Sequence, residues 1–311
     1  MKKTVVLFLV LLLGLVGSAF AQQPPPGDTG VDSAFVTANE WLNKNNLSVT
    51  GGAGGANYEQ AFMQDVILVV GEAVAPAHIT HPSQREIMAK RGAVVMAQRQ
   101  LAEYLNGFAI VGDTLVKDGM TQYDVVRSAV AGLVKGAQVV VQEYNREKDM
   151  AIAILKLGMH GPKSFASTLY EKMFSDPNLR KELRTDKPSY RGRPVPLDDK
   201  YDGLIIDATE HNFRPALINR IFTVKGEVIY DPAKISQKVL VEQGCGEYTN
   251  SIEKARAALS SRGVNNPMVI KASGTVSPSD LQVSPEDAAK VFSANQKTNF
   301  FASAKVAFVL K

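Results

Sequence analysis

Asp207, Glu210 and His211 stand close together just after Leu204-Ile205-Ile206, an apolar run that reads as a buried strand. A carboxylate and an imidazole at a strand end can hold a divalent cation or act as base and orienter. The same residues also read as a strand-end cap with a solvated Glu210. His78 and His81 lie three apart, a ligand spacing on a helix, but Pro82 restrains His81 to an extended backbone and no Cys or Asp joins them. Cys245 sits between Gly244 and Gly246, the surroundings of a nucleophile or of a turn. No Gly-x-Ser-x-Gly elbow is present. The sequence therefore assigns no catalytic, cofactor-binding or metal-ligating residue, and no enzyme activity is expected.

The elements that must position these residues begin with an export signal. Lys2 and Lys3 precede an apolar run from Thr4 to Val16, and Ala19-Phe20-Ala21 supplies the small-x-small cleavage pattern. Residues 1–21 read as a signal peptide, whose apolar run is shorter than the roughly 20 residues that span a bilayer and is followed by Pro24-Pro25-Pro26. The chain of 311 residues carries a formal charge of +4, and removal of Lys2 and Lys3 leaves +2. So small a balance gives little pull toward nucleic acid or anionic lipid. Cys245 is the one cysteine, so no internal disulfide can form; it is a buried small hydrophobe or an intermolecular link.

Residues 22–57 read as a flexible N-terminal segment with a short helix through Phe35, Ala38, Trp41 and Leu42. Gly51-Gly52-Ala53-Gly54-Gly55 lacks the Lys-Ser/Thr ending of a phosphate loop and reads as a linker. Residues 58–162 form a first domain. Val66 to Val70 is a buried strand, and a helix starts near Ser83 with the stripe Ile87, Val94, Ala97, Leu101 and Leu105. Gly92 marks a close approach of that helix to a neighbour, and Asn106-Gly107 stops it with a residue able to take positive φ. A strand from Phe108 to Val116 follows, then a helix capped by Thr121, then a hairpin of Ala137–Tyr144 and Met150–Leu157.

Residues 163–200 read as a helical and proline-rich connector, whose Arg and Lys residues are solvated linker charges or a docking patch. Residues 201–311 form a C-terminal domain. It has a hairpin at Lys225-Gly226, a helix opened by Asn250 with Glu253, a strand from Met268 to Val276, a helix capped by Ser284-Pro285, and a final alternating strand from Phe300 to Leu310. The class is α+β with two small domains. The first is β-α-β-α-β-β with two helices packed on one face of a sheet; the second is a mixed sheet with two or more helices.

Pro82-Ser83-Gln84-Arg85, Met88-Ala89-Lys90-Arg91, Arg99-Gln100-Leu101-Ala102-Glu103, Asn106-Gly107-Phe108 and Gly132-Leu133-Val134-Lys135-Gly136-Ala137 carry a resemblance over about residues 66–160. This stretch resembles a bacterial family of small surface lipoproteins, which also supplies the N-terminal domain of flagellar assembly protein T and the bulk of flagellar protein P. Relatives often have Ala-Ala where this chain has Gly92-Ala93, and an acidic residue where it has Met96. No cysteine follows the cleavage pattern, so a lipid anchor is not expected. The resemblance implies a non-catalytic scaffold or assembly role in the cell envelope, in periplasm or at the outer membrane. Its partners would be envelope or flagellar proteins, or further copies of itself. The other reading is a periplasmic ligand- or metal-binding protein or hydrolase with its site near Asp207, Glu210 and His211, or in the cleft between domains.

Overall fold

A computed structural model describes residues 29–311. The signal peptide expected at 1–21 and the proline-rich lead-in after it lie outside the described residues. Helix α1 (Val36–Asn45) is the first element among the described residues. It is followed by the short strands β1 (Gly51–Gly52) and β2 (Gly55–Ala56), helix α2 (Tyr58–Met63) and the long strand β3 (Val66–Val74). Helix α3 (Pro82–Asn106) comes next, then the small hairpin β4 (Ala109–Val111) and β5 (Thr114–Leu115). Helices α4 (Val116–Gln122) and α5 (Asp124–Gly136) lead to strands β6 (Gln138–Asn145) and β7 (Met150–Gly158).

Strands β3 and β7 pair antiparallel along their whole length, from Val66 opposite Gly158 to Val74 opposite Met150. With β6 on one side and the β1–β2 hairpin on the other they make a five-stranded sheet, ordered β2-β1-β3-β7-β6. Successive side chains of a strand point to opposite faces. Ile67 and Val69 therefore join the core that includes α3 and α5, whereas Val66, Leu68 and Val70 join a second cluster with Phe35, just before α1, and with Ala38 and Leu42 of α1. Both faces are covered, which is why β3 reads as an unbroken apolar run. The described part of the N-terminal segment, expected to be flexible, is thus fixed: Phe35 and Leu42 are fully buried, each worth roughly 1.5–3 kcal/mol. The glycine stretch is not a linker but an edge hairpin, with Gly51 paired parallel to Val69.

Other expectations for this half change in detail. The buried face of α3 runs through Ala89, Ala93, Ala97 and Leu101, four residues apart, and Ile87 is exposed. Small side chains at Ala89, Ala93 and Ala97 let the first part of this helix lie close to the sheet, and the larger Leu101, Tyr104 and Leu105 are buried only in its last turns. Gly107 ends α3 with φ −84°, not a positive value. Its lack of a side chain instead makes room for the Tyr58 ring, whose Cζ would stand 3.0 Å from an added Cβ. The stretch expected as one strand from Phe108 folds back on itself at Gly112, φ +56°, and becomes helical at Val116. It leaves the main sheet altogether. Thr121 lies inside α4, and Tyr123 precedes α5 instead.

Residues 163–200, expected as a connector, begin with a buried helix. In α6 (Phe165–Ser175) the side chains of Phe165, Leu169, Tyr170 and Met173 are all in the core. The short α7 (Pro177–Arg180) is capped by Asp176, whose carboxylate accepts from Asn178 N at 2.8 Å.

The C-terminal part opens with β8 (Gly203–Asp207), then the hairpin β9 (Arg220–Thr223) and β10 (Val228–Tyr230), helix α8 (Gln237–Gln243), β11 (Glu247–Thr249) and helix α9 (Ile252–Ser261). Strands β12 (Pro267–Lys271), β13 (Gly274–Ser277) and β14 (Asp280–Val283) precede helix α10 (Pro285–Thr298) and the last strand, β15 (Val306–Val309). Two four-stranded sheets result. In β11-β15-β8-β12 every pairing is parallel. In β10-β9-β14-β13 the central β9–β14 pair is parallel and the outer pairs are antiparallel.

Here too the elements sit where expected with altered limits. The stretch from Met268 divides between the two sheets, and Ser251 rather than Asn250 caps α9, accepting from Lys254 N. The final strand shrinks to four residues because Phe300–Ser303 forms a 3₁₀ turn. Strand β15 is wedged between two neighbours. Ala307 and Val309 pack under α9, and Val306 and Phe308 pack on the opposite side, so no polar face remains. The chain is α+β in two parts, but one continuous buried cluster runs through both. Phe62 meets Tyr248 at 4.8 Å between ring centres. Leu217 N and Ile218 N donate to the carbonyls of Ala109 and Ile110, at 3.1 and 2.7 Å.

Candidate functional site

Open parallel sheets bind ligands just beyond the carboxyl ends of their strands. Asp207 lies there, at the end of the inner strand β8, beside Lys271 at the end of β12. The Asp207 Oδ1 accepts from Thr209 N at 3.1 Å and from the Thr209 hydroxyl at 2.7 Å. These bonds, the hydroxyl first, hold its carboxyl below the usual carboxylate range. Glu210 pairs with Lys271 at 2.9 Å, and both side chains are exposed. His211 donates from Nε2 to the carbonyl of Ala272 at 3.0 Å. The three residues share an edge of the sheet, but each has its own local partner. His78 and His81 are both exposed, with His81 extended at φ −71°, ψ 122° before α3. Among the described residues no three His, Cys, Asp or Glu side chains converge as metal ligands.

Cys245 is buried instead of at a surface. Its Sγ donates to the Leu217 carbonyl at 3.2 Å and stands 3.8 Å from the Tyr170 hydroxyl. Burial pushes the thiol up to about 11, so the thiolate that a nucleophile needs is disfavoured. Around it, the Tyr230 hydroxyl donates to the Cys245 carbonyl at 2.6 Å and the Tyr248 hydroxyl to Asn219 Oδ1 at 2.5 Å. Asn219, fully buried, also accepts from Ala216 N at 3.0 Å and donates to the Ser279 carbonyl at 2.5 Å. This network ties the segment 214–219 to β11, α6 and the start of β14. Burial holds the Tyr170, Tyr230 and Tyr248 phenols well above their ordinary range, so they remain neutral donors.

The sequence could not show which distant residues meet. Asp65, in a left-handed conformation at φ +53°, faces His160 Nδ1 at 2.6 Å across the start of β3 and the end of β7. The other edge of that imidazole lies against Gly244, where an added Cβ would come within 2.6 Å of Nε2. His160 thus bridges the two halves.

A cleft of about 370 Å³ opens where the halves meet, lined by Asn57, Tyr58, Glu59, Gly107 and, from the C-terminal part, Arg214 and Pro215. The Arg214 Nη2 donates to the Gly112 carbonyl at 3.2 Å and lies 3.3 Å from Asp113 Oδ1. Its Nε is buried with no hydrogen-bond partner. Glu59 and Arg214 give the cleft one group of each sign.

Among the described residues no helix is long and apolar enough to cross a membrane. Residues 203–311, about a third of the chain, match the family model described as the second domain of Treponema pallidum Tp0624. The match starts at the first residue of β8, so it covers both four-stranded sheets and the edge carrying Asp207. No curated protein matches the chain.

Proposed function

We propose that the chain is a non-enzymatic, exported building block of the cell envelope, residing in the periplasm or against the outer membrane, with flagellar assembly as a specific setting. The observation that carries this reading is the way the two halves are locked together. Buried tyrosines, Asn219 and Cys245 spend their polar groups on holding segment 214–219, and Asp207, Glu210 and His211 are each committed to a local contact. Polar groups that are spent on internal bonds fix one rigid shape. The export pattern at residues 1–21 and the resemblance over 66–160 supply the compartment and the class of partner: envelope or flagellar proteins, or further copies of the chain.

Fractionation of cells producing the chain, with light scattering on the purified protein and a motility assay on a deletion strain, tests this. Recovery in a large envelope complex, or self-association, is the expected result. A freely diffusing monomer whose loss changes neither envelope nor motility overturns it.

A ligand-binding protein is the second reading, favoured by the cleft between Glu59 and Arg214. Thermal shift against divalent cations and small zwitterions checks it. Stabilisation that disappears in Arg214→Gln or in Asp207→Asn supports a site at the cleft or at the sheet edge respectively; no stabilisation by any of them ends the idea.

A further inference from the structure

Between Arg180 and Arg193 the chain carries six basic residues, Arg180, Lys181, Arg184, Lys187, Arg191 and Arg193, against Glu182 and Asp186. That net +4 exceeds the +2 left once Lys2 and Lys3 are removed, so the remaining residues of that part together carry −2. Unbalanced positive charge is therefore concentrated in this stretch of sequence, and Asp198 and Asp199 follow only after Arg193. Nine ion pairs of Lys or Arg occur among the described residues, and none uses any of these six cations. All six are exposed.

The stretch is not a loose linker. Ser189 bridges to Val228 in parallel, with Tyr190 N donating to the Val228 carbonyl and Val228 N to the Pro188 carbonyl, each at 2.8 Å. Tyr190 packs edge-on against Phe292 at 5.5 Å, and Val195 N donates to Ser293 Oγ at 2.8 Å. An extended chain alternates its side chains. With Tyr190 turned inward, Arg191 and Arg193 face out, along with Lys187. From Arg184 to Arg193 the cations form a ridge up to about 30 Å long.

At its start the ridge borders a groove of about 170 Å³. Phe174, Leu183, Pro232 and Ile235 give it apolar walls, and Arg180 and Arg184 stand on the rim. The parallel pairing also sets the tip of the β9–β10 hairpin beside Lys187, and there Val224 is 48% exposed next to Lys225. Cations flanked by an apolar groove and an exposed aliphatic tip suit a surface with phosphate outside and hydrocarbon just beneath. A nucleic acid or free phosphate would use the charge but not the apolar parts.

We propose that this ridge docks the protein on a membrane surface rich in anionic phospholipid. The choice of lipid over nucleic acid rests on the envelope reading above; the fixed cationic ridge does not. The test is co-sedimentation of the purified full chain with phosphatidylcholine vesicles and with mixed phosphatidylcholine–phosphatidylglycerol vesicles. The preference for the anionic vesicles over the neutral ones is the readout, so apolar binding common to both cancels. Neutralising Arg184, Lys187, Arg191 and Arg193 to Gln should lower that preference by about 100-fold or more, at roughly a tenfold step for each one or two charges. Neutralising Lys44, Lys117 and Lys135 to Gln, exposed cations elsewhere, should leave it nearly unchanged. An unchanged melting temperature in the ridge variant, whose side chains are exposed, separates lost docking from lost folding. The proposal is overturned if the chain shows no preference for anionic vesicles, or if the two sets of substitutions act alike. It is equally overturned if duplex DNA or inorganic phosphate displaces the protein at matched ionic strength. None of these outcomes depends on where in the cell the protein resides, so failure here is distinct from failure of the envelope role.

Discussion

Gly71 and Ala97 meet backbone against backbone: a β-carbon added to Gly71 would stand 2.5 Å from the Ala97 Cα and 2.5 Å from the Ala93 carbonyl oxygen. Strand β3 and helix α3 touch with no side chain between them. The tightest approach lies at the glycine of the sheet; at Gly92 of the helix an added Cβ would meet only the Ala73 methyl, at 2.9 Å.

Gly71→Ala should therefore cost about 3 kcal/mol or more, since neither backbone can move aside cheaply. Gly92→Ala gains about 1 kcal/mol of helix propensity against a small local clash and should lie within about 1 kcal/mol of the parent. Urea midpoints of the two variants give the comparison, and equal losses would contradict the packing described.

Asn219→Ala removes one acceptor shared by Ala216 N and the Tyr248 hydroxyl, and one donor to the Ser279 carbonyl. Leaving such buried groups unpaired costs about 1–3 kcal/mol, so a loss near the upper end is expected. Tyr248→Phe keeps the ring against Phe62 and Phe308 and should cost only about 1 kcal/mol. A double variant close to the larger single loss would show that the two act as one unit.

Cys245 should resist thiol reagents at neutral pH, because it is 2% exposed and its thiol is held near 11. Labelling should follow global unfolding across a denaturant series, and non-reducing electrophoresis should show no linked dimer. Fast labelling of the native protein would contradict the buried position.

Asp280 accepts from Arg220 N at 3.0 Å and from the Ser277 hydroxyl at 3.0 Å, yet burial raises its carboxyl above the ordinary 3.8. A folded-state value above the unfolded one means that the folded chain holds this proton more tightly. The associated stability is present below about 3.8 and lost as pH rises through the folded value. Relative to Asp280→Asn, the parent should gain stability as pH falls toward 3.8. The lowered carboxylates Asp32 and Asp149 are common to both proteins and cancel. A difference that stays flat with pH would count against the buried carboxyl.

Local signals were legible in the sequence at several element starts and turns, though the caps expected at Thr121 and Asn250 were displaced. Pro82 at the start of α3, Ser284-Pro285 at the start of α10 and the Lys225-Gly226 turn, with Gly226 at φ +80°, all act within a few residues. What the sequence hid depends on long-range pairing. Whether Phe108–Val116 joins the main sheet is settled by Leu217 and Ile218, about a hundred residues further on, whose amides take the carbonyls of Ala109 and Ile110. The glycines before α2 look like a linker until Gly51 is seen beside Val69. The site candidates followed the same division. Asp207, Glu210 and His211 are near one another as their numbers imply, but proximity in the chain did not make them converge. The contacts that do join distant parts, such as Asp65 with His160 and Tyr248 with Asn219, leave no trace in spacing.

The shared interior has a consequence for the order of synthesis. Phe62 emerges from the ribosome long before Tyr248, the ring that will pack against it. Until the last third is made, the earlier two thirds present an aromatic surface to water, and only the finished polypeptide can close it.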